Sequence, residues 1–464
     1  MTAPRTFARH APELGNVRVL VVGLGKSGIA AAHLLAARGA RVQAADRRSA
    51  GELAAVEQAL AGSDVEVVGG GHPATLAEGA ELVVTSPGVP ADTQVLAAAR
   101  AAGIPVWSEV ELAFRFLRGR VVGVTGSNGK STTTSMIGTI LRTAGLRGGT
   151  GGNLGTPLST LLAEDGPDAV HAVELSSFQL EWVEAFRAQV GVVVNFSPDH
   201  LDRHGSLAAY AAAKARLLDT QEPGDAAVLN ADDPESRRFE PHVRGQLFSF
   251  STRGPAPRGA GIEDGMLVLH GIPGEPAPVS LLPAASLPVP GEHNVANALA
   301  AGLACALAGV AGASIARGLA TFQALPHRLQ KVGSVRGVDY YDDSKATNLD
   351  ATARALASFP PRSVHLILGG KDKGGDWTSL ASLARRHARR ILLVGEAAPL
   401  IRRALEGVVP LQDCGTVQHA VHTAAQTAGP AEIVLLAPGC ASFDQYRNFE
   451  ERGDDFARAV TALA

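Results

Sequence analysis

Short apolar runs recur along the chain and alternate with stretches of helical period. Val17–Val22, Leu82–Thr85, Val121–Thr125, Val170–Glu174, Val190–Asn195, Ala226–Asn230, Val364–Leu368, Ile391–Val394 and Ile433–Leu436 are rich in Val, Leu and Ile. Gly, Asn, Asp, Ser or Pro follows each run within two residues, which predicts buried strands. Strands alternating with helices predict parallel, doubly wound sheets. In such sheets ligands sit beyond the carboxyl ends of the strands, so the residues just after each run are the ones to inspect. Two seams divide the pattern. One is Arg118-Gly119-Arg120, after the helical run Glu109–Leu117; the other is Phe322–His327. The Gly/Pro-rich stretch Phe248–Pro290 predicts turns and small antiparallel strands appended to the middle domain. No repeat of solenoid period is present. The expected organisation is three α/β domains, 1–118, 119–324 and 325–464. The length of 464 residues agrees with that number.

Composition narrows the class. Hydrophobic residues make up 46% of the chain, as in globular proteins, and the net charge of −3 excludes a basic nucleic-acid footprint over the whole chain. Cys305, Cys414 and Cys440 are scattered and odd in number, so no disulfide framework is expected and a reducing, cytoplasmic compartment is. Met1–Gly15 has no apolar core and does not read as a signal peptide. Asn294–Ala316 carries no charge but is mostly Ala and Gly, which predicts a buried helix using small residues for close packing rather than a membrane span. Of 42 basic residues only seven are lysine: Lys26, Lys130, Lys214, Lys331, Lys345, Lys371 and Lys373. The ordinary surface cation here is arginine, so a retained lysine marks a place where a compact or deprotonatable amine can matter.

The chemistry-bearing motifs follow strands. Gly23-Leu24-Gly25-Lys26-Ser27-Gly28 comes after Val17–Val22 and opens a helix expected over Ile29–Arg38. A second strand, Val42–Ala45, ends at Asp46. Glycines let a diphosphate approach a helix N-terminus, and an acid there meets a ribose. Ser86-Pro87-Gly88, in the loop Thr85–Pro90 after another strand, can form the opposite wall. Val121–Thr125 runs into Gly126-Ser127-Asn128-Gly129-Lys130-Ser131-Thr132 and a helix, a variant P-loop that cradles phosphates, with Val124 where the strict pattern has its first glycine. Glu174 ends the next strand and offers a hard oxygen ligand for Mg²⁺. His200 lies in Asn195–His204, and Lys214 lies fourteen residues further on in the helical run Tyr210–Leu218. The alternative for Lys214 is a solvated helix lysine. In the last domain, Tyr340–Asn348 (with Asp343, Lys345 and Thr347), Gly369–Gly375 (with Lys373) and Pro438–Asp444 (with Ser442) pair cations with small residues, which suits an anionic substrate. Caps and turns are the alternative there.

Taken together, Thr125–Thr132, Glu174–Gln179, Asp199–Arg203, Gly291–Ala301, His327-Arg328 and Asp343–Asn348 resemble the Mur ligases, ATP-dependent amide-forming enzymes of peptidoglycan precursor synthesis. Asp343–Asn348 and the Gly23–Gly28 domain resemble the branch that adds D-glutamate to UDP-N-acetylmuramoyl-L-alanine. The resemblance covers the whole chain. It implies a Rossmann-like first domain, a P-loop central domain and a Rossmann-like third domain. Gly23, Leu24, Gly25, Lys26, Ser27, Asp46, Arg47, Ser86, Pro87, Gly88 and Asn153 would hold the UDP-sugar. Gly126 to Thr132, Asn294, Asn297, Arg328 and Asp343 would hold ATP. Ser131 and Glu174 would bind one Mg²⁺, and His200 with a carbamylated Lys214 a second. Lys345, Thr347, Lys373, Ser442 and Phe449 would receive D-glutamate. A cytoplasmic monomer acting on small molecules, with no nucleic-acid or membrane partner, is expected. The rivals are folylpolyglutamate synthetase, another Mur ligase, an NAD-dependent oxidoreductase using Gly23–Gly28 and Asp46, and a nucleotide-sensing regulator.

Overall fold

In the computed structural model the described residues are 5–463, except for the side chain of Asp202. The first four residues of Met1–Gly15 therefore lie outside them. The chain forms two compact units: Met1–Ala285 with Ala296–Thr321, and Ser286–Val295 with Phe322–Ala464.

The first unit holds two sheets. One is built from β1 (Arg18–Val22), β2 (Arg41–Ala45), β3 (Val65–Val68), β4 (Leu82–Thr85) and β5 (Val106–Ser108), all parallel in the order β3-β2-β1-β4-β5. Alternate residues of β1 enter different cores: Val19 and Val21 join Leu35 and Trp107 on one face, while Leu20 and Val22 join Val83 and Leu96 on the other. Helices thus cover both faces, and the strand order reverses between β1 and β4, where a crevice opens. The helix after β1 spans Lys26–Ala37, not Ile29–Arg38. Gly25 is its N-cap, so Lys26, Ser27 and Gly28 form its first turn. Gly28 permits this because a Cβ there would collide with the Gly23 carbonyl.

The second sheet contains β6 (Arg120–Thr125), β7 (Thr150–Gly152), β8 (Val170–Glu174), β9 (Val190–Val193), β10 (Ala226–Asn230), β11 (Gln246–Phe250), β12 (Gly259–Glu263), β13 (Met266–His270) and β14 (Val279–Pro283). Its order is β14-β13-β12-β11-β10-β9-β6-β8-β7. Only β12–β13 and β13–β14 pair antiparallel, which is the expected small addition. The addition is continuous with the main sheet, because β11 pairs parallel with both β10 and β12. Asn294–Ala316 is not one helix. Helices span Glu292–Leu307 and Gly312–Ala320, with Gly309 at φ +88° between them. Close packing by small residues does occur: a Cβ on Gly318 would stand 2.7 Å from Ile140 Cα. Among the described residues no helix is long and apolar enough to cross a membrane.

The second unit carries β15 (Gln330–Val335), β16 (Val338–Asp342), β17 (Val364–Gly369), β18 (Ala388–Val394), β19 (Leu411–Gly415) and β20 (Ile433–Leu436), in the order β15-β16-β20-β17-β18-β19. All neighbours are parallel except β15–β16. Leu366, Leu368 and Leu435 face one core; Ile367, Val434 and Leu436 face the other. The loops after β16, β17 and β20 consequently leave the same edge of adjacent strands. The three cysteines are free and buried.

Candidate active site

Strand β6 delivers the P-loop. The helix Lys130–Thr143 starts immediately after it, capped by Gly129 at φ +83°. A side chain at Gly129 would be strained, and its Cβ would stand 2.5 Å from Asn297 Oδ1. Asn297 in turn accepts from Thr133 Oγ1 at 3.2 Å. The loop is pinned from β9's end by Asn195, whose Oδ1 accepts from Asn128 N and whose Nδ2 donates to Asn128 O, both at 2.9 Å. Ser127 Oγ donates to Ser197 O at 2.8 Å and accepts from Ser197 N at 2.9 Å. Lys130 Nζ folds back on Gly126 O (2.9 Å) and Ser127 O (2.8 Å), and Ser131 is buried behind it. Backbone donors, a lysine and a hydroxyl at a helix N-terminus make a phosphate cradle.

Beside this loop Glu174 ends β8, 2% exposed. Its Oε1 accepts from Asn153 Nδ2 at 2.7 Å; its Oε2 is buried with no hydrogen-bond partner among the described residues. Asn153 thus meets the carboxylate rather than the first-domain cavity. Lys214 is not a solvated helix lysine. It is 1% exposed, and its Nζ reaches Gly126 O at 2.8 Å and Thr125 Oγ1 at 3.5 Å, over the Tyr210 ring. Burial first, and Lys130 second, push its ammonium well below the usual lysine range, against the pull of Asp199 and Glu174. His200 caps the short helix Leu201–His204 at φ +51°; its ring meets Phe178 edge-on and is half exposed. Among the described residues no group of three or more His, Cys, Asp or Glu side chains is set to hold a metal. A hard cation here would draw on the orphaned Glu174 oxygen and the Ser131 hydroxyl, and its second neighbour on His200 with Lys214 only as an oxygen-bearing carbamate. The orphaned buried oxygen fits such a guest.

The reversal point of the first sheet is a cavity of about 980 Å³. Gly23 to Ser27, Asp46-Arg47 and Ser86 to Gly88 all line it. Ser86 Oγ donates to Gly23 O at 2.7 Å, tying the two loops. Asp46 Oδ2 accepts from Leu24 N at 2.6 Å, and its Oδ1 from Arg48 N (3.0 Å) and Nε (2.9 Å). Burial alone would raise the Asp46 carboxyl, but Arg48 and these N–H groups hold it well below the usual range. Arg48 also donates to Leu24 O at 2.9 Å and lines the cavity with His72, two residues the sequence reading passed over. So was the link to the central sheet: Arg203 donates to Pro87 O (3.2 Å) and Val89 O (2.8 Å) while lying over Phe178.

In the second unit the β17 and β20 loops bridge at Lys371 and Ala441, N to O at 2.9 and 3.1 Å. Ser442, beside the bridge, is buried, and Lys373 is exposed on its loop. After β16, Asp343 Oδ1 accepts from Leu329 N at 3.2 Å. Asp343 keeps part of its surface in solvent, yet burial of its carboxyl raises it to about 7, opposed by that N–H and by Arg328. Lys345 Nζ stands 3.9 Å over the Phe449 ring, and Thr347, half-buried, donates its N–H to Lys345 O at 2.7 Å. His327 Nδ1 lies 2.6 Å from Asp342 Oδ2. Asn294, buried, donates to Pro290 O at 2.6 Å.

Models of three domain families match the chain in sequence: "Mur ligase MurD-like, N-terminal domain" over residues 17–108, "Mur ligase middle domain" over 124–305 and "Mur ligase, glutamate ligase domain" over 327–440. The UDP-N-acetylmuramoylalanine–D-glutamate ligase of Anaeromyxobacter dehalogenans is 47% identical over 471 residues, covering 98% of this chain and 99% of its own. Those of Acidobacterium capsulatum and Solibacter usitatus are 44% and 45% identical, each over 97% of this chain and over 97% and 99% of their own lengths. Among solved structures, UDP-N-acetylmuramate-alanine ligase MurC from Thermotoga maritima superposes with a TM-score of 0.61 at 18% identity, covering 97% of this chain and 100% of that one. MurF ligase from the same organism gives 0.58 at 16% identity over all of both chains. These two are alike in fold.

Proposed function

The chain belongs to the Mur ligase family, and on that premise we propose that it joins D-glutamate to UDP-N-acetylmuramoyl-L-alanine at the expense of ATP, in peptidoglycan precursor synthesis. The observation that carries this reading is the cluster at the P-loop: Lys130 and a buried Lys214 on one carbonyl, beside a carboxylate with an unsatisfied oxygen. Such a cluster suits the meeting of two anions.

A carboxylate is a poor acyl donor. Its oxygen attacks the γ-phosphorus of ATP, ADP leaves, and an acyl phosphate forms. The amine of D-glutamate, having given up a proton, attacks the acyl carbon; inorganic phosphate leaves and the amide remains. Lys130 offsets the charge of the transferred phosphoryl group, and Gly126 to Thr132 orient it. Two Mg²⁺ would be held, one by Ser131 and Glu174 and one by His200 and carbamylated Lys214, and would supply charge neutralisation for the triphosphate. Asn153, fixed on Glu174, would meet the muramoyl-alanine part of the UDP-sugar. The first-domain cavity, walled by Gly23–Ser27, Asp46-Arg47 and Ser86–Gly88, takes the uridine diphosphate. Asn294, Asn297, Arg328 and Asp343 position ATP, and Lys345, Thr347, Lys373, Ser442 and Phe449 receive D-glutamate. Functional domains are assigned to 1–118, 119–324 and 325–464, one for each ligand. The buried thiols suit the cytoplasm, and the chain works there as a monomer.

The deciding assay is phosphate release from ATP with UDP-N-acetylmuramoyl-L-alanine and each enantiomer of glutamate, with L-alanine and a diamino acid as controls. Release is expected with D-glutamate alone. None with D-glutamate defeats the reading.

A further inference from the structure

The helix Phe449–Thr461 buries Arg452 on the same face as Phe456, Ala459 and Val460. A charged residue on an apolar stripe is costly unless its donors are satisfied. Arg452 is 2% exposed, and every donor contact it makes goes to one of two loops. To the β16 loop, Nε donates to Ser344 Oγ at 2.9 Å and Nη2 to Ser344 O at 2.8 Å. To the β20 loop, both Nη groups donate to Cys440 O at 3.2 Å, and Nη1 to Ala441 O at 3.3 Å.

We propose that Arg452 is a positioning residue for the amino-acid acceptor, holding the Asp343–Asn348 and Pro438–Asp444 loops at one fixed spacing and lending that junction a positive charge. The proposal rests on the reading that these loops receive D-glutamate.

Two features support a functional clamp over a purely structural one. First, all the acceptors are carbonyls and a hydroxyl, and among the described residues Arg452 makes no ion pair. Asp444 and Asp342 are both close enough to be felt, but neither bonds it: Asp444 accepts from Glu396 N at 3.1 Å, and Asp342 is committed to His327 and to Ser344 N at 2.8 Å. A buried cation with no directly bonded carboxylate weakens a fold relative to a neutral donor or an apolar side chain. Its positive field persists at the junction, where it favours a dicarboxylate. Second, the clamp reaches the proposed substrate contacts themselves. Ser344 Oγ passes the bond on to Phe449 O at 2.8 Å, and the Phe449 ring carries Lys345. On the other loop, Ala441 O is held by Lys371 N and Arg452 together, and a trans peptide so fixed turns the Ser442 N–H the opposite way.

The test compares Arg452→Met, Arg452→Lys and Ser344→Ala with the unaltered full chain, measuring KM for D-glutamate, ATP and UDP-N-acetylmuramoyl-L-alanine, kcat and the thermal midpoint. Arg452→Met is expected to raise KM for D-glutamate by about tenfold or more while the other two KM values stay within about twofold. Arg452→Lys, which keeps the charge without the fork, is expected to recover part of the loss. Ser344→Ala, a milder change that preserves the clamp's other bonds, is expected to raise the same KM by about threefold. An unchanged KM for D-glutamate in the folded variants, with only a lowered melting point or a lower active fraction, overturns the proposal. If Arg452→Met does not fold, Ser344→Ala and Arg452→Lys decide by the same criterion. Absence of D-glutamate-dependent release in the unaltered chain instead defeats the underlying assignment of the substrate.

Discussion

Lys130 and Lys214, on different helices, both donate to a single backbone oxygen, Gly126 O, at 2.9 and 2.8 Å. The pairing places the buried amine of Lys214 at the base of the phosphate cradle, where an exposed lysine could not serve. Lys214→Ala is expected to lower turnover by on the order of a thousandfold. A small added carboxylate, standing in for the proposed carbamate, is expected to restore part of it. Phosphate release measures both, and full activity in the bare variant would refute the role.

Glu174 has one oxygen on Asn153, and the other is buried with no hydrogen-bond partner among the described residues. Glu174→Gln keeps the size and removes the charge. Turnover is expected to fall by about 10²-fold or more, with the Mg²⁺ concentration for half-activity rising, while thermal stability holds. An unchanged Mg²⁺ titration rules Glu174 out as a ligand.

Arg48 ties Asp46 to the Gly23–Gly28 turn through bonds to Asp46 and Leu24 O. Arg48→Ala frees both and loosens one wall of the cavity. KM for the UDP-sugar is expected to rise about tenfold, with KM for D-glutamate unmoved. Equal changes in the two constants would point to a general loss of folded protein.

The second unit has a pH-sensitive contact. The hydrogen bond with Asp342 raises His327 above its ordinary value of 6.5, against the opposing effect of burial. Folding therefore favours the protonated ring. That stabilisation is complete below 6.5 and is lost as pH rises through the raised value. Calorimetry of the full chain is expected to show the transition of this unit moving to lower temperature across that window. In His327→Asn the same window is expected to be flat; a wild-type slope surviving the substitution would assign it elsewhere.

Consecutive motifs were legible in the sequence because their function is local. The Gly23–Gly28 turn, the P-loop and the strand runs each need only neighbours, and each lies in the expected element. The helix start at Lys26 was missed because a glycine N-cap gives no side-chain signal. The break at Gly309 was missed because an Ala/Gly stretch has no polar face to mark its ends. Lys214 carried only its scarcity, since its flanking alanines are neutral about burial. Arg452 and Ser344 are 108 residues apart, and Asn195 and Asn128 are 67 apart. Contacts of that kind arise from sheet order, which periodicity does not encode.

Because Cys305, Cys414 and Cys440 are all enclosed, burial raises all three thiols above their ordinary range, and they present little thiolate to a reagent. One new cysteine on each unit's surface would then be the only places a maleimide dye attaches. The native chain is in effect already a blank for fluorescence labelling, and a dye placed on either unit can follow ligand binding there without first stripping out the protein's own sulfur.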